Sequence, residues 1–154
     1  MQQIQQLWVV WACLVVSLFI YGAMPLMLQP PQAPPPPPQA SFIGALAFVG
    51  LMTAVATILL RRFAIVQPVR SGNMDITTTA GAARFFTISL LTWVLSESIG
   101  IYGLVSFFLY RVAALLYPFL AVAFLLMIFH APRTGSLRAD PSSADLARPD
   151  IKIG

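Results

Sequence analysis

Long runs of apolar residues, separated by short polar segments, dominate positions 1–132 of the chain. Each of four runs has close to the roughly 20 residues that an α-helix needs to cross the hydrocarbon core of a bilayer. These runs are residues 4–28, 42–60, 85–110 and 112–129. We therefore predict an all-α integral membrane protein with four transmembrane helices. Because Arg111 alone separates the last two runs, we expect their helices to be antiparallel neighbours.

The first run, within residues 1–28, also fits a secretory signal peptide. No Lys or Arg precedes the run, and its apolar core is longer than the roughly 7–15 residues usual for a signal peptide. We therefore favour an uncleaved first transmembrane helix.

Three polar segments divide the chain. The linker 29–41 holds five consecutive prolines at 34–38, which fix φ and remove backbone donors, so we expect an extended polyproline segment in water. A stiff spacer is favoured over a docking site for a partner. The loop 61–84 is basic, and the tail 131–154 lacks apolar periodicity, which predicts disorder.

Charge is scarce and unevenly placed. Charged residues make up 9% of the chain, against about 25% in a typical soluble domain, so a soluble globule is excluded. Of the 9 Lys and Arg residues, all but Arg111 fall in the loop 61–84 or the tail. The positive-inside rule then places both termini and this loop in the cytoplasm, in a multi-pass protein of the bacterial inner membrane. We attribute the basic charge to this orientation and expect no nucleic-acid partner.

No conventional active site is visible in the sequence. It has no His/Cys cluster for a metal, no phosphate-binding glycine loop and no nucleophile arrangement, and Cys13 is the only cysteine. We therefore predict no catalytic residue, no metal and no cofactor. Whether the chain belongs to an enzyme complex is open.

Glu97 is the only acidic or basic residue inside any apolar run. It lies 13 residues after Arg84 and 14 before Arg111, near the middle of the third run. A charged carboxylate at that depth costs at least a few kcal/mol, so such residues usually mark an ion path or a structural pair. No basic residue lies at matching depth, so we expect a neutral carboxylic acid. It either carries an ion or makes a packing hydrogen bond to another helix.

The neighbours of Glu97 are small or polar. Ser98 follows it directly, and Gly100 at i+3 leaves a notch on nearly the same helical face. Trp93, one turn earlier, is expected to shield the carboxyl group or to pack on another helix.

Small residues follow one face of the second run at spacings of three and four. They are Ala40, Gly44, Ala47, Gly50, Ala54 and Thr57. Membrane helices approach closely along such stripes. We predict helix packing at Gly44, Ala47, Gly50 and Ala54, as either a partner surface or ordinary bundle packing.

Four aromatic residues lie near the ends of the runs, where amphipathic rings anchor helices at the membrane interface. They are Trp8, Trp11, Tyr21 and Tyr110. His130 is expected at the cytoplasmic interface, and Pro118 is expected to kink the fourth helix.

The segment E-S-I-G-I-Y-G-L-V at 97–105 resembles the carboxylate helix of the ring-forming c subunit (proteolipid) of rotary F-type ATP synthases. A weaker likeness extends over residues 44–109, with a small-residue helix, an arginine-containing loop with Gln67-Pro68, and the carboxylate helix. The resemblance implies a central c-subunit-like hairpin within 42–110, with the helices of 1–28 and 111–130 added outside it.

The resemblance also implies a function. Glu97 would be the carboxylate that carries a proton or sodium ion, with Ser98 as a second ion-binding group. The site would be shaped by Gly100, Tyr102, Gly103, Trp93 and Thr53. The second run has no Gln, so an oxygen cage for sodium is incomplete and a proton is favoured. Expected partners are the lipid bilayer and other membrane subunits, in a homo-oligomer or a hetero-complex. The alternative is a non-catalytic accessory subunit.

Overall fold

A computed structural model describes residues 2–28, 36–71 and 78–132. The predicted disordered tail from 133 onward lies outside the described residues, as do residues 29–35 of the proline-rich linker.

The described residues form helices and connections, without strands, which confirms the all-α prediction. The helices are α1 (Gln2–Met27), α2 (Ala40–Arg61), a π-helical turn (Arg62–Val66), α3 (Gln67–Arg70), α4 (Thr79–Tyr110) and α5 (Ala113–Phe129). Three helical segments of the described chain are long and apolar enough to cross a membrane, namely α1, α2 with its π-helical turn, and α4. The fourth apolar helix, α5, is shorter, at 17 residues.

The helices continue beyond the apolar runs, into both ends of the predicted loop 61–84. Helical structure extends to Arg70, and α4 begins at Thr79. The apolar run marks the part of a helix that suits lipid, whereas backbone hydrogen bonds and capping decide where the helix ends. The hydroxyl of Thr78 accepts a hydrogen bond from the Gly81 amide at 3.1 Å and caps α4 at a position that hydropathy does not mark.

The π-helical turn accommodates a proline within this extension. The amide of Gln67 bonds to the carbonyl of Arg62, five residues earlier. Pro68 follows and has no amide hydrogen to donate. A wider turn just before the proline relieves the crowding that its ring causes in a regular α-helix.

The long helix α4 is the centre of the bundle. It packs on α5, α2 and α1, and α1 also packs on α5. The expected contact between α2 and α4 is present, but the most extensive contact of α4 is with α5. Arg111 joins these two helices in the left-handed conformation, with φ of 55°, and its amide bonds the Phe107 carbonyl at 2.7 Å. This single turn gives the antiparallel pair that the short connection predicts.

Gly103 permits a close approach of α5 to α4. A Cβ atom at this position would lie 2.7 Å from Phe119 Cβ and 2.9 Å from the carbonyl oxygen of Leu116. Backbone of α5 therefore occupies the space that any side chain at 103 would need. We expected Gly103 to shape the site of the carboxyl group, whereas in the structure it allows the close packing of α5 on α4.

The small-residue stripe of α2 packs along only part of its length. Gly50 and Ala54 are buried, whereas Gly44 has no neighbour within 4 Å of its Cβ position and Ala47 is exposed. At the Gly44 end, the ring centroids of Phe42 and Tyr110 lie 6.3 Å apart. Large side chains make the contact there, so the predicted packing role of Gly44 and Ala47 is not seen among the described residues.

Candidate functional site

Glu97 is half-buried on α4, and its hydrogen-bond partners belong to α1. The Tyr21 hydroxyl lies 3.1 Å from Glu97 Oε1, and the Ser17 hydroxyl hydrogen-bonds the same oxygen. Ser17 and Tyr21 are four residues apart and share one face of α1. Two hydroxyl groups from the first helix therefore hold one carboxyl oxygen.

Counting hydrogens defines the protonation state that suits this site. The Ser17 hydroxyl has one hydrogen but lies against two oxygens, Glu97 Oε1 and the Leu14 carbonyl, the latter at 2.7 Å. A carbonyl and an ionised carboxylate can only accept, so this one hydrogen serves one of the two contacts and not both. If Glu97 is ionised, one of these two contacts therefore lacks a hydrogen.

A protonated Glu97 satisfies every member of this chain. In the neutral acid the carboxyl group can donate its hydrogen to Ser17, while Ser17 donates to the Leu14 carbonyl and Tyr21 donates to Glu97 Oε1. An ionised carboxylate has no hydrogen to give and would leave two oxygens in contact without one. The arrangement is therefore complementary to the neutral acid.

The hydroxyl groups of Ser98 and Thr53, which we predicted at the ion site, bond carbonyl groups of their own helices instead. The Ser98 hydroxyl donates to the Leu95 carbonyl at 2.7 Å, and the Thr53 hydroxyl donates to the Val49 carbonyl at 2.8 Å. Such bonds to a carbonyl three or four residues earlier are common for hydroxyl residues inside helices. The hydroxyl groups on Glu97 thus come from α1, and neither Ser98 nor Thr53 is among its hydrogen-bond partners.

Trp93 points away from the carboxyl group. Its Nε1 donates to the carbonyl of His130 at 2.9 Å, and Arg61 Nη1 donates to the same oxygen at 2.8 Å. Trp11 Nε1 donates to the Met127 carbonyl at 3.0 Å. Three helices thereby satisfy carbonyl groups that the C-terminus of α5 leaves unpaired. The indole hydrogen bonds of Trp93 and Trp11 thus join the C-terminal end of α5 to α4 and α1.

His130, which we predicted at the cytoplasmic interface, is fully buried among the described residues. Burial, and after it the nearby positive charge of Arg61, lower the pKa of its imidazole to about 4. Neither ring nitrogen has a hydrogen-bond partner among the described residues. The imidazole is therefore neutral at physiological pH.

Two other predicted residues lie near Glu97 on α4. A Cβ at Gly100 would come within 2.7 Å of Leu18 Cδ2, so this glycine admits the helix that carries Ser17. The carbonyl of Tyr102 accepts a hydrogen bond from Ser106, and its side chain is half-buried.

The described chain offers no group of three or more potential metal ligands. Glu97 is the single acidic side chain within the described ranges. Its site has one carboxyl group and two hydroxyl groups, which suits the binding of one proton.

Sequence reasoning missed both partners of Glu97. Tyr21 was expected as an interfacial anchor, whereas its hydroxyl contacts the carboxyl group. The signal that could have found them is a pair of hydroxyl residues, Ser17 and Tyr21, one turn apart in an otherwise apolar run.

No protein-family model, no curated protein and no solved structure matches this chain.

Proposed function

We propose that the protein is a proton-translocating subunit of a membrane complex, in which Glu97 binds and releases one proton. The observation that carries this proposal is the hydrogen count at Glu97, whose contacts with Ser17 and Tyr21 are satisfied by the neutral acid. A neutral acid is stable among apolar helices, and its half-buried position leaves a path for exchange.

The proposal includes a membrane topology. Both termini and the short connection between α3 and α4 face the cytoplasm of a bacterial inner membrane, because this side collects the Lys and Arg residues. The helix α5 is the fourth span, since its 17 residues reach about 26 Å, near the short limit for a transmembrane helix.

The resemblance of residues 97–105 to the c subunit supports the assignment of Glu97 as the carrier. The contact between α1 and Glu97 adds a condition for proton exchange. The first helix lies against the carboxyl group, so proton exchange requires the hydrogen bonds of Ser17 and Tyr21 to open. We therefore propose that movement of α1 against α4 accompanies loading and release.

A second function is favoured by the same contacts. Glu97 joins α4 to α1, as a structural hydrogen bond in an accessory subunit would. In that case the carboxyl group would fix the position of α1, and no proton would be transferred.

Glu97→Gln separates the two functions because the amide keeps the shape of the side chain and its capacity for hydrogen bonds but exchanges no proton. We expect this variant to assemble like the wild type and to lose proton flux, measured with a pH-sensitive dye in membrane vesicles. The matched control is Ser98→Ala, which removes a hydroxyl bonded within its own helix and leaves flux unchanged. In parallel, a hydrophobic carbodiimide should label Glu97 in the wild type, as located by mass spectrometry.

Wild-type flux in Glu97→Gln would contradict the carrier role. The structural role would then be supported if Glu97→Leu, which cannot hydrogen-bond, lost the complex while Glu97→Gln kept it.

A further inference from the structure

An open groove lies at the end of the bundle opposite Arg111. It has a volume of about 480 Å³ and runs between the extension of α2 and the first turns of α4. Its lining residues are Phe63, Gln67, Pro68, Ser71 and Arg84.

The charged member of this groove has no partner in the described part of the chain. Arg84 is exposed and forms no hydrogen bond or ion pair with any described residue. Glu97, the acidic side chain of the described ranges, is 13 residues further along α4, or about 20 Å. The guanidinium group therefore offers its planar fork of donors, which suits a phosphate or carboxylate.

The groove combines this cation with a second donor and an apolar wall. The side chain of Gln67 is exposed and supplies amide hydrogens, and Phe63 is 57% exposed. The Ser71 hydroxyl is directed at the Pro68 carbonyl, 3.3 Å away, so it secures the turn. A ligand that fits this lining has an anionic head and an apolar body.

The depth of the groove matches the phosphate layer of a bilayer. Arg84 and Arg111 are 27 residues apart on one helix and its cap, which corresponds to about 40 Å. A bilayer measures about 40–45 Å with its headgroup regions included. With Arg111 at one interface, Arg84 lies among the headgroups of the other.

We propose that this groove binds an anionic phospholipid, with Arg84 and Gln67 holding the phosphate and Phe63 contacting an acyl chain. The observations that carry it are the Arg84 guanidinium, which no described residue pairs, the adjoining apolar wall and the depth along α4. The proposal requires the chain to be in a membrane, but it does not depend on the role of Glu97.

The test measures lipid retained by the purified full-length chain. The protein is placed in nanodiscs of phosphatidylcholine with a minor fraction of phosphatidylglycerol, extracted gently, and analysed by native mass spectrometry. We expect bound phosphatidylglycerol on the wild type, and about tenfold weaker retention in Arg84→Gln, because hydrogen bonds to a charged group are lost. The matched control is Arg62→Gln, which removes an exposed arginine outside the groove lining and should retain the lipid like the wild type.

Three results would overturn the proposal. Equal retention in Arg84→Gln and Arg62→Gln would mean that general charge attraction holds the lipid. Equal retention of phosphatidylcholine would exclude selection of an anionic lipid. Displacement of the lipid by added inorganic phosphate would identify a site for free phosphate instead. Circular dichroism of each variant confirms that the helices are intact, so that loss of lipid reports on the groove.

Discussion

Gly103→Ala tests the close packing of α5 on α4. The added Cβ would lie 2.7 Å from Phe119 Cβ and 2.9 Å from the Leu116 carbonyl oxygen. Carbon atoms pack best at about 3.5–4.0 Å, so α4 and α5 must separate by on the order of 1 Å. A backbone carbonyl cannot rotate away as the end of a side chain can. Forcing one extra methyl group into such an interface costs about 1–3 kcal/mol.

The matched control is Gly44→Ala. Gly44 lies within α2 and has nothing within 4 Å of its Cβ position, so the substitution meets open space. Both variants gain up to about 1 kcal/mol of helix propensity from alanine. This gain cancels in the comparison, and the difference in the free energy of unfolding isolates the overpacking at Gly103, about 1–3 kcal/mol.

The assay is reversible unfolding of the purified protein in mixed micelles by increasing fractions of a denaturing detergent, followed by circular dichroism. We expect Gly103→Ala to unfold at a lower fraction of denaturing detergent than Gly44→Ala. Equal stability of the two variants would show that α4 and α5 do not approach as closely as the structure has them, and the reasoning would fail.

Two further predictions concern polar groups. Tyr21→Phe removes one hydrogen bond to Glu97 and should lower the free energy of unfolding by about 0.5–1 kcal/mol, as for other hydrogen bonds between membrane helices; the loss should vanish when Tyr21→Phe is added to Glu97→Leu, and an undiminished loss would contradict the contact. For His130, the folded pKa of about 4 lies below the ordinary value of 6.5, so the unfolded chain binds the proton first as the pH falls. The contribution of His130 to the free energy of unfolding is therefore fully present above about pH 6.5, and about 3 kcal/mol of it is lost as the pH falls to 4. Unfolding curves of His130→Gln at several pH values should lack this part of the pH dependence.

Much of the local structure could be predicted from the sequence. The apolar runs indicate helices because a chain in lipid must satisfy its backbone hydrogen bonds within each segment. The position of Arg111 between two runs predicts the tight turn, and Glu97 stands out because a carboxyl group in an apolar run is costly. These inferences need only the order of residues and the properties of lipid.

Helix ends were less predictable. Thr78 and the π-helical turn before Pro68 decide where α4 begins and how the second helix extends, and both act through backbone hydrogen bonds that hydropathy does not register. The described helices therefore extend further toward Arg70 and Thr79 than the apolar runs suggest.

The partners of each side chain were decided by the tertiary structure alone. The resemblance to the c subunit made α2 the expected companion of the Glu97 helix, yet Ser17 and Tyr21 of α1 hydrogen-bond the carboxyl group. The indole of Trp93 reaches the end of α5. Residue order fixes which groups share a face of one helix, but which helix meets that face depends on how all the helices pack together. That packing includes close contacts such as the one between Gly103 and the backbone of α5. The sequence by itself thus determined the helices and the acid within an apolar run, and only the assembled bundle determined which hydroxyl groups hydrogen-bond that acid.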